Sequence, residues 1–194
     1  FDGIALYGVG SITTITQIEI FKSNGNGIKF IGGNANADKL FITDTGKNSI
    51  ELKNNWSGNG QNWYLKQATL SGIGITSDDE LAVVDTIFVG NISDVSIVGP
   101  SYENALSYSA GSGVYDLSNI YTYEMITGIN TTGAAANSQI DLGYFEIEGI
   151  QFDNPSANFN TTNYNGMNQF FTENQNLGAG NGLLKPEWAE DWTI

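Results

Sequence analysis

The sequence lacks cysteine, histidine and arginine entirely, and all seven of its basic residues are lysine. Without cysteine the chain forms no disulfide bond and has no thiol nucleophile, and without cysteine and histidine it lacks the usual zinc ligands. Proline is also scarce, with 3 residues against 24 glycines, a composition that favours many tight turns over rigid linkers. Several common kinds of catalytic and metal centre are therefore excluded.

Charge is scarce as well, and it is mostly of one sign. Only 14% of the 194 residues are charged, and the formal net charge is −14. Residues 1–66 carry six lysines and five carboxylates, whereas residues 67–184 carry thirteen carboxylates and no basic residue. This charge argues against nucleic acid and anionic membranes as partners. No apolar run approaches the roughly 20 residues of a membrane-spanning helix, so no membrane insertion is predicted.

An internal repeat organises the first third of the chain. At an offset of 22 residues, apolar positions between Thr16 and Lys66 fall on apolar positions. The pairs are Ile18 with Leu40, Ile20 with Ile42, Ile28 with Ile50, Phe30 with Leu52, and Ile42 with Tyr64. Short strands cannot bury their apolar faces alone, but repeats stacked about 4.8 Å apart can do so. The pattern predicts a coil of same-direction turns, with Asn26 and Asn48 stacked as a ladder between turns.

The predicted fold is all-β: a right-handed parallel β-helix with rungs of about 22 to 25 residues. A leucine-rich repeat would need a regular leucine ladder, which is missing, and a β-sandwich would not need similarity at a constant offset. Residues 1–155 are predicted to form the β-helix, with residues 133–137 as a link of small residues. Residues 156–194 are predicted to be a C-terminal capping segment of the same domain. A neighbouring chain or a missing N-terminal segment is expected to cover the first rung.

The sequence also resembles a known family. The similar segments are residues 6–10, 26–33, 56–63 and 104–130, with Phe170-Phe171 and Trp188…Trp192 near the C-terminus. They resemble a group of right-handed parallel β-helix surface proteins and lipoproteins of Bacteroidota-type bacteria. The resemblance implies a β-helix fold and an extracellular location at the bacterial cell surface, associated with the outer membrane, but no catalytic residues. Asn24 and Asn26 stand where the family pattern has paired aspartates, which argues against a cation site in that turn.

Three aromatic residues, Trp56, Trp63 and Tyr64, are a candidate binding platform, because an outward-facing ring can stack on a sugar. Trp63 and Tyr64 are neighbours, so only one of them points inward on a strand. Packing of these rings in the core or at its rim is the alternative.

Two acidic groups are candidate cation ligands. Asp78, Asp79 and Glu80 form the densest acidic cluster, interpreted as an exposed turn or, alternatively, as a set of Ca²⁺ ligands. Glu146 and Glu148 share one face of a predicted strand and have Asp141 nearby, so they are either solvent-exposed or cation-binding. No cofactor is predicted to be required, and Ca²⁺ is the single ion for which these carboxylates suggest a site.

Parallel β-helices often host polysaccharide-cleaving enzymes, so a catalytic role stands beside a binding role as an interpretation. Lyases of this shape usually rely on Arg or Lys as the base, and residues 67–184 contain neither. Hydrolases need carboxylates about 5 to 9.5 Å apart. We therefore predict a non-catalytic extracellular protein with a structural or adhesive role, which presents a rigid β-helix face to a glycan or protein partner. The alternative is a carbohydrate-active β-helix enzyme or its carbohydrate-binding module.

Overall fold

The structure, a computed structural model, describes residues 1–77, 86–155, 157–160, 164 and 166–194. Its elements are almost all strands. In chain order they are β1 (Ile4–Val9), β2 (Thr14–Phe21), β3 (Ile28–Gly33), β4 (Asn36–Thr43), β5 (Ile50–Lys53), β6 (Asn59–Lys66), β7 (Ile75–Ser77), β8 (Val89–Ser109), β9 (Val114–Thr132), α1 (Ala134–Asp141), β10 (Phe145–Asp153), β11 (Ala157–Phe159), β12 (Phe171–Glu173) and a 3-10 helix (Glu187–Ala189).

The strands pair in parallel and build a single coil. One series of pairs joins β1, β3, β5 and β7, and a second series joins β2, β4 and β6. β8 belongs to both series, because its residues 91–98 pair with β6 and its residues 106–108 pair with β7. β9 then stacks on β8 along nearly its whole length. The predicted right-handed parallel β-helix is confirmed.

The register confirms the repeat through the first two rungs. Ile18 pairs with Leu40, Ile20 with Ile42, Ile28 with Ile50, and Phe30 with Leu52. The predicted pair of Ile42 with Tyr64 was wrong, because Ile42 pairs with Leu65 and Phe41 with Tyr64. The offset between paired residues is 22 at the end of β3 and 23 at the start of β4. The link before β6, which contains the buried Trp56, therefore carries one extra residue relative to the repeat.

Aliphatic side chains stack in columns through the interior. One column consists of Ile28, Ile50, Ile75, Leu106 and Ile129, which follow one another in register and are all buried. Each rung adds one apolar residue to such a column. The core therefore gains area in proportion to the number of rungs, as expected for a solenoid.

Every rung bends at the same point on one side of the coil. The bend falls at Gln17, Lys39, Asn62, Asp94 and Asn119, which are consecutive in the stack and have φ between 50° and 58°. We call these residues the bend column. Such left-handed backbone is uncommon outside glycine, and asparagine and aspartate tolerate it best. The bend column turns each rung through a corner and leaves a flat stretch of sheet before it.

Asparagine side chains join successive turns, as the sequence predicts. The Asn48 backbone N–H donates to Asn26 Oδ1 at 3.2 Å, and the Ile73 N–H donates to Asn48 Oδ1 at 3.0 Å. Asn26 Nδ2 also donates to Glu51 Oε2 at 2.9 Å, and Glu51 forms an ion pair with Lys29. The ladder therefore connects three rungs and one buried carboxylate.

Replacing Asn26 by alanine is expected to lower the free energy of unfolding by about 1–3 kcal/mol, because it leaves buried partners without hydrogen bonds. Urea unfolding measures this change. Asn24→Ala is the matched control, since Asn24 lies exposed in the same turn, and it should change the stability by less than about 0.5 kcal/mol. Equal effects of the two substitutions would contradict the ladder's contribution.

The predicted small-residue link is a helix. Residues 133–137 were expected to be a simple connection, but α1 begins at Ala134 and buries Ala136 and Ile140 against the core. Alanine is the strongest helix former, which explains why this segment forms an α-helix. Among the described residues, no helix has the length and apolar character that crossing a bilayer requires.

The aromatic residues of the predicted capping segment lie in two places. Phe159, Tyr164, Phe170 and Phe171 form a cluster that reaches Phe145 at the last rungs. Residues 177–194 instead return along the outside of the coil, and we call them the strap. In the strap, the Ala179 N–H donates to Ser96 Oγ at 3.1 Å and the Ile194 N–H donates to Glu19 Oε1 at 2.9 Å. Trp188 and Trp192 belong to the strap.

Tyr164 forms a pH-dependent hydrogen bond with the last residue of α1. Its hydroxyl donates to Asp141 Oδ1 at 2.7 Å, and this bond lowers the pKa of Asp141. A carboxylate whose pKa is lowered on folding stabilises the fold above its unfolded value and loses that contribution as the pH falls. Tyr164→Phe is therefore expected to reduce the loss of melting temperature below about pH 4. The exposed Tyr7, replaced by Phe, is the control and should leave the profile unchanged.

Candidate functional site

The two tryptophans of the predicted platform lie inside the coil. Trp63 is 0% exposed and Trp56 is 1% exposed. Their indole Nε1–H groups donate to the carbonyls of Ala37 and Ala35, each at 3.1 Å. The Phe30 ring lies 4.9 Å from that of Trp56 and 6.2 Å from that of Trp63. These rings pack in the core, so neither is available to stack on a sugar from solvent.

Tyr64 points out of the coil but is covered by the strap. Its ring stacks on that of Phe41, with centroids 5.1 Å apart, and its hydroxyl donates to the Leu183 carbonyl at 2.9 Å. Burial raises the pKa of Tyr64 to about 12. Since Tyr64 faces the opposite way from Trp63, the three predicted residues do not form one surface.

The acidic residues predicted as candidate cation ligands do not form one described site. Asp78, Asp79 and Glu80 lie outside the described residues, so their role as Ca²⁺ ligands stays a prediction. Glu146 and Glu148 share one exposed face of β10, as predicted, whereas Asp141 accepts hydrogen bonds from Tyr164 and from the backbone of Met167 and Asn168. Within the part of the chain that the structure describes, no group of three or more acidic side chains could hold a metal ion.

A groove of about 830 Å³ runs along the flat stretch of sheet before the bend column. We call it the outer groove. Its floor is formed by β6, β8, β9 and β10, and residues 169–172 line its far end. Outward-facing side chains lie in two rows, one of Asn59, Asn91, Asp116 and Glu146, and one of Gln61, Ser93, Ser118 and Glu148.

The two rows follow from the alternation of a strand. Between each pair of outward residues lies an inward one, and these inward residues are Gly60, Ile92, Leu117 and Ile147, all buried. Rungs of a parallel sheet lie about 4.8 Å apart, so successive side chains within a row have that spacing. The two rows are two residues apart along the strand, or roughly 7 Å. The groove is therefore a regular array of hydrogen-bonding groups.

Hydrogen bonds to neighbouring rungs hold the amide end of the groove in place. Asn59 Nδ2 donates to Asn36 Oδ1 at 3.0 Å. Gln61 Nε2 donates to Asp94 Oδ2 at 2.9 Å, and Asn119 Nδ2 donates to Asp94 Oδ1 at 2.6 Å. Asp94 and Asn119 belong to the bend column, so the corner of the coil positions the Gln61 side chain of the second row.

The other end of the groove is acidic. Asp116 and Glu146 are paired in register on neighbouring rungs, and Glu148 follows two residues later on β10. Burial raises the pKa of Asp116, because desolvation disfavours its charged form. Phe171 stands at this end, half-buried and in edge contact with Phe159 and Phe170. This end thus combines carboxylates with one partly exposed aromatic ring.

Most of the groove was not identified from the sequence. The sequence indicates Glu146 and Glu148 as candidates, but it gives no comparable indication for Asn59, Asn91 and Asp116. A signal was nevertheless present, since each of the four groove rungs has a polar, apolar or glycine, polar triplet on the groove floor, at residues 59–61, 91–93, 116–118 and 146–148. The unequal spacing of these triplets hides them from a search at a constant offset.

A comparison with protein families finds one family model that matches almost the whole chain. A family model described as "Pectate-lyase like beta helix domain" matches residues 1–193. No curated protein and no solved structure shows significant similarity to the chain.

Proposed function

We propose that this chain, which belongs to the family of pectate-lyase-like β-helix domains, binds a glycan in its outer groove without cleaving it. Membership of this family fits a carbohydrate-related β-helix protein. The observation that carries the proposal is the double row of amide, hydroxyl and carboxylate side chains over four rungs. We further propose an extracellular location at the bacterial cell surface, which the resemblance of the sequence supports.

The geometry of the groove suits a polymer of sugars. Sugar hydroxyls both donate and accept hydrogen bonds, as amide and hydroxyl side chains also do. A repeating array on the protein can meet a repeating ligand with similar contacts at each rung. The rows stand on hydrogen-bonded strands rather than on loops, so little backbone freedom is lost on binding.

The chemistry of the groove argues for binding rather than lyase activity. Among the described residues that line it, none is basic. The sequence also has no lysine between Lys66 and Lys185 and no arginine at all. Removal of a proton next to a uronate carboxylate needs a base and a positive charge to stabilise the carbanion. The groove provides neither an arginine nor a lysine for these roles.

Hydrolysis is the second candidate, favoured by the pairing of Asp116 with Glu146. Retaining glycosidases place two carboxyl groups about 5 to 5.5 Å apart, close to the spacing of neighbouring rungs. Burial raises the pKa of Asp116, which is the direction of shift that a general acid requires. Release of reducing ends by the wild-type protein, abolished by Asp116→Asn, would establish this function in place of non-catalytic binding.

A glycan array followed by calorimetry tests the binding proposal. Wild-type protein is expected to bind an oligosaccharide, and Asn91→Ala combined with Ser118→Ala should weaken that binding about tenfold or more, which corresponds to roughly 1.4 kcal/mol. The two substituted side chains lie on the groove floor at exposed and half-buried positions, so the fold should persist. Asn24→Ala, on another side of the coil, is the control. Unchanged affinity in the double variant would place the ligand elsewhere and overturn the proposal.

A further inference from the structure

We infer that the outer groove selects an uncharged glycan and excludes polyuronates, the acidic polysaccharides to which the description of its family refers. This inference rests on the proposed function, because it names the class of glycan that the same groove takes. It follows from the signs and positions of the charges around the groove.

The groove concentrates negative charge where a ligand would lie. Asp116, Glu146 and Glu148 all face it, within two neighbouring rungs, and none of its described lining residues is basic. Asp94 adds a fourth carboxylate at the edge, where it accepts hydrogen bonds from Gln61 and Asn119. Six of the seven lysines lie in residues 1–66, and the seventh, Lys185, lies in the strap, where its amino group donates to the Thr193 carbonyl.

A polyuronate would bring one carboxylate per sugar into this field. Like charges at close range repel, and the repulsion is stronger in a partly desolvated groove than in bulk water. At this end of the groove Asp116 lies in register with Glu146, so a ligand carboxylate would meet two neighbouring protein carboxylates at once. A neutral glycan is attracted instead of repelled, since its hydroxyls donate charge-assisted hydrogen bonds to the same carboxylates.

A cation that bridges the carboxylates of the groove and of a uronate would reverse this selection, but the described residues provide no cluster of ligands for one. Among them, no group of three or more acidic side chains could hold a metal ion. Selection should therefore follow the fixed charges of the groove and should weaken as salt screens them. At the amide end, Asn59 and Gln61 are uncharged and the Asp94 carboxylate is bonded to Gln61, so contacts with neutral sugars there should depend little on ionic strength.

The experiment compares two panels of oligosaccharides of equal length, one neutral and one uronate, by calorimetry at low and moderate salt. Wild-type protein is expected to bind a neutral glycan at least about tenfold more tightly than any uronate, with the difference decreasing as salt rises. The triple variant Asp116→Asn, Glu146→Gln, Glu148→Gln should gain uronate binding, and circular dichroism and the melting temperature verify its fold. Asp44→Asn, which neutralises a carboxylate outside the groove, is the control and should keep the wild-type selection.

The possible outcomes distinguish a failure of this inference from a failure of the proposed function. Uronate binding by the wild-type protein within about tenfold of its neutral-glycan binding, with or without added Ca²⁺, would overturn the inference and leave glycan binding in the groove standing. Failure of the triple variant to change the selection would overturn it as well. Absence of any glycan binding, or binding insensitive to the groove substitutions, would overturn the proposed function itself.

Discussion

Trp63→Ala is expected to lower the free energy of unfolding by about 3–5 kcal/mol, the range for truncation of a large buried aromatic residue. Trp63 is fully buried, packs near Phe30 and Trp56, and donates its indole N–H to the Ala37 carbonyl. The substitution removes this packing, leaves a cavity and leaves a buried carbonyl without its partner. Urea unfolding monitored by circular dichroism measures the change.

The control for Trp63 is an apolar residue of the same coil that lies in solvent. Ile12 is 100% exposed, and Ile12→Ala should change the stability by less than about 0.5 kcal/mol. A Trp63→Ala protein of unchanged stability that had lost glycan binding would contradict the buried position of this ring. It would also restore the exterior platform that the sequence suggested.

Gly58→Ala is expected to destabilise the protein by about 3 kcal/mol, the upper part of the range for overpacking. A Cβ atom at this position would collide with the Ala35 carbonyl of the rung below and with the Trp56 ring. The carbonyl belongs to the backbone of a neighbouring rung and cannot rotate away as a side-chain tip can. The strands on either side would have to separate, which would disturb the stacking at the start of the groove floor.

Gly10→Ala is the matched control for Gly58→Ala. A Cβ atom at Gly10 would meet nothing within 4 Å, and this residue does not have a positive φ. The substitution should be neutral or stabilising by up to about 1 kcal/mol, through the lower entropy of the unfolded chain. Equal melting temperatures for the two variants would show that the rungs are not in close contact at Gly58.

The fold could be predicted from the sequence because stacking leaves a repeat in the interior positions. Ile28 lies in register with Ile50, so both must be apolar and of similar size, and a constant offset reveals them. The offset failed at Ile42 and Tyr64 because one extra residue entered the link that contains Trp56. An insertion in a loop shifts everything after it, and a single offset cannot represent that shift.

Other features leave no periodic signal. Gln17 and Lys39 in the bend column are not residues that favour a positive φ, so the corner is imposed by the stacking and not by local preference. The strap contacts residues far away in the sequence, as with Tyr64 and Leu183, and no local pattern predicts such a contact. The outer groove was only partly found, because outward-facing residues are not constrained by the core.

The flat stretch before the bend column has a consequence for how such a protein changes over time. The inward residues Ile92, Leu117 and Ile147 maintain the coil, whereas the outward neighbours Asn91, Asp116 and Glu146 can be exchanged with little effect on folding. The outward rows can therefore change one rung at a time, by point substitutions that leave the stacked interior intact.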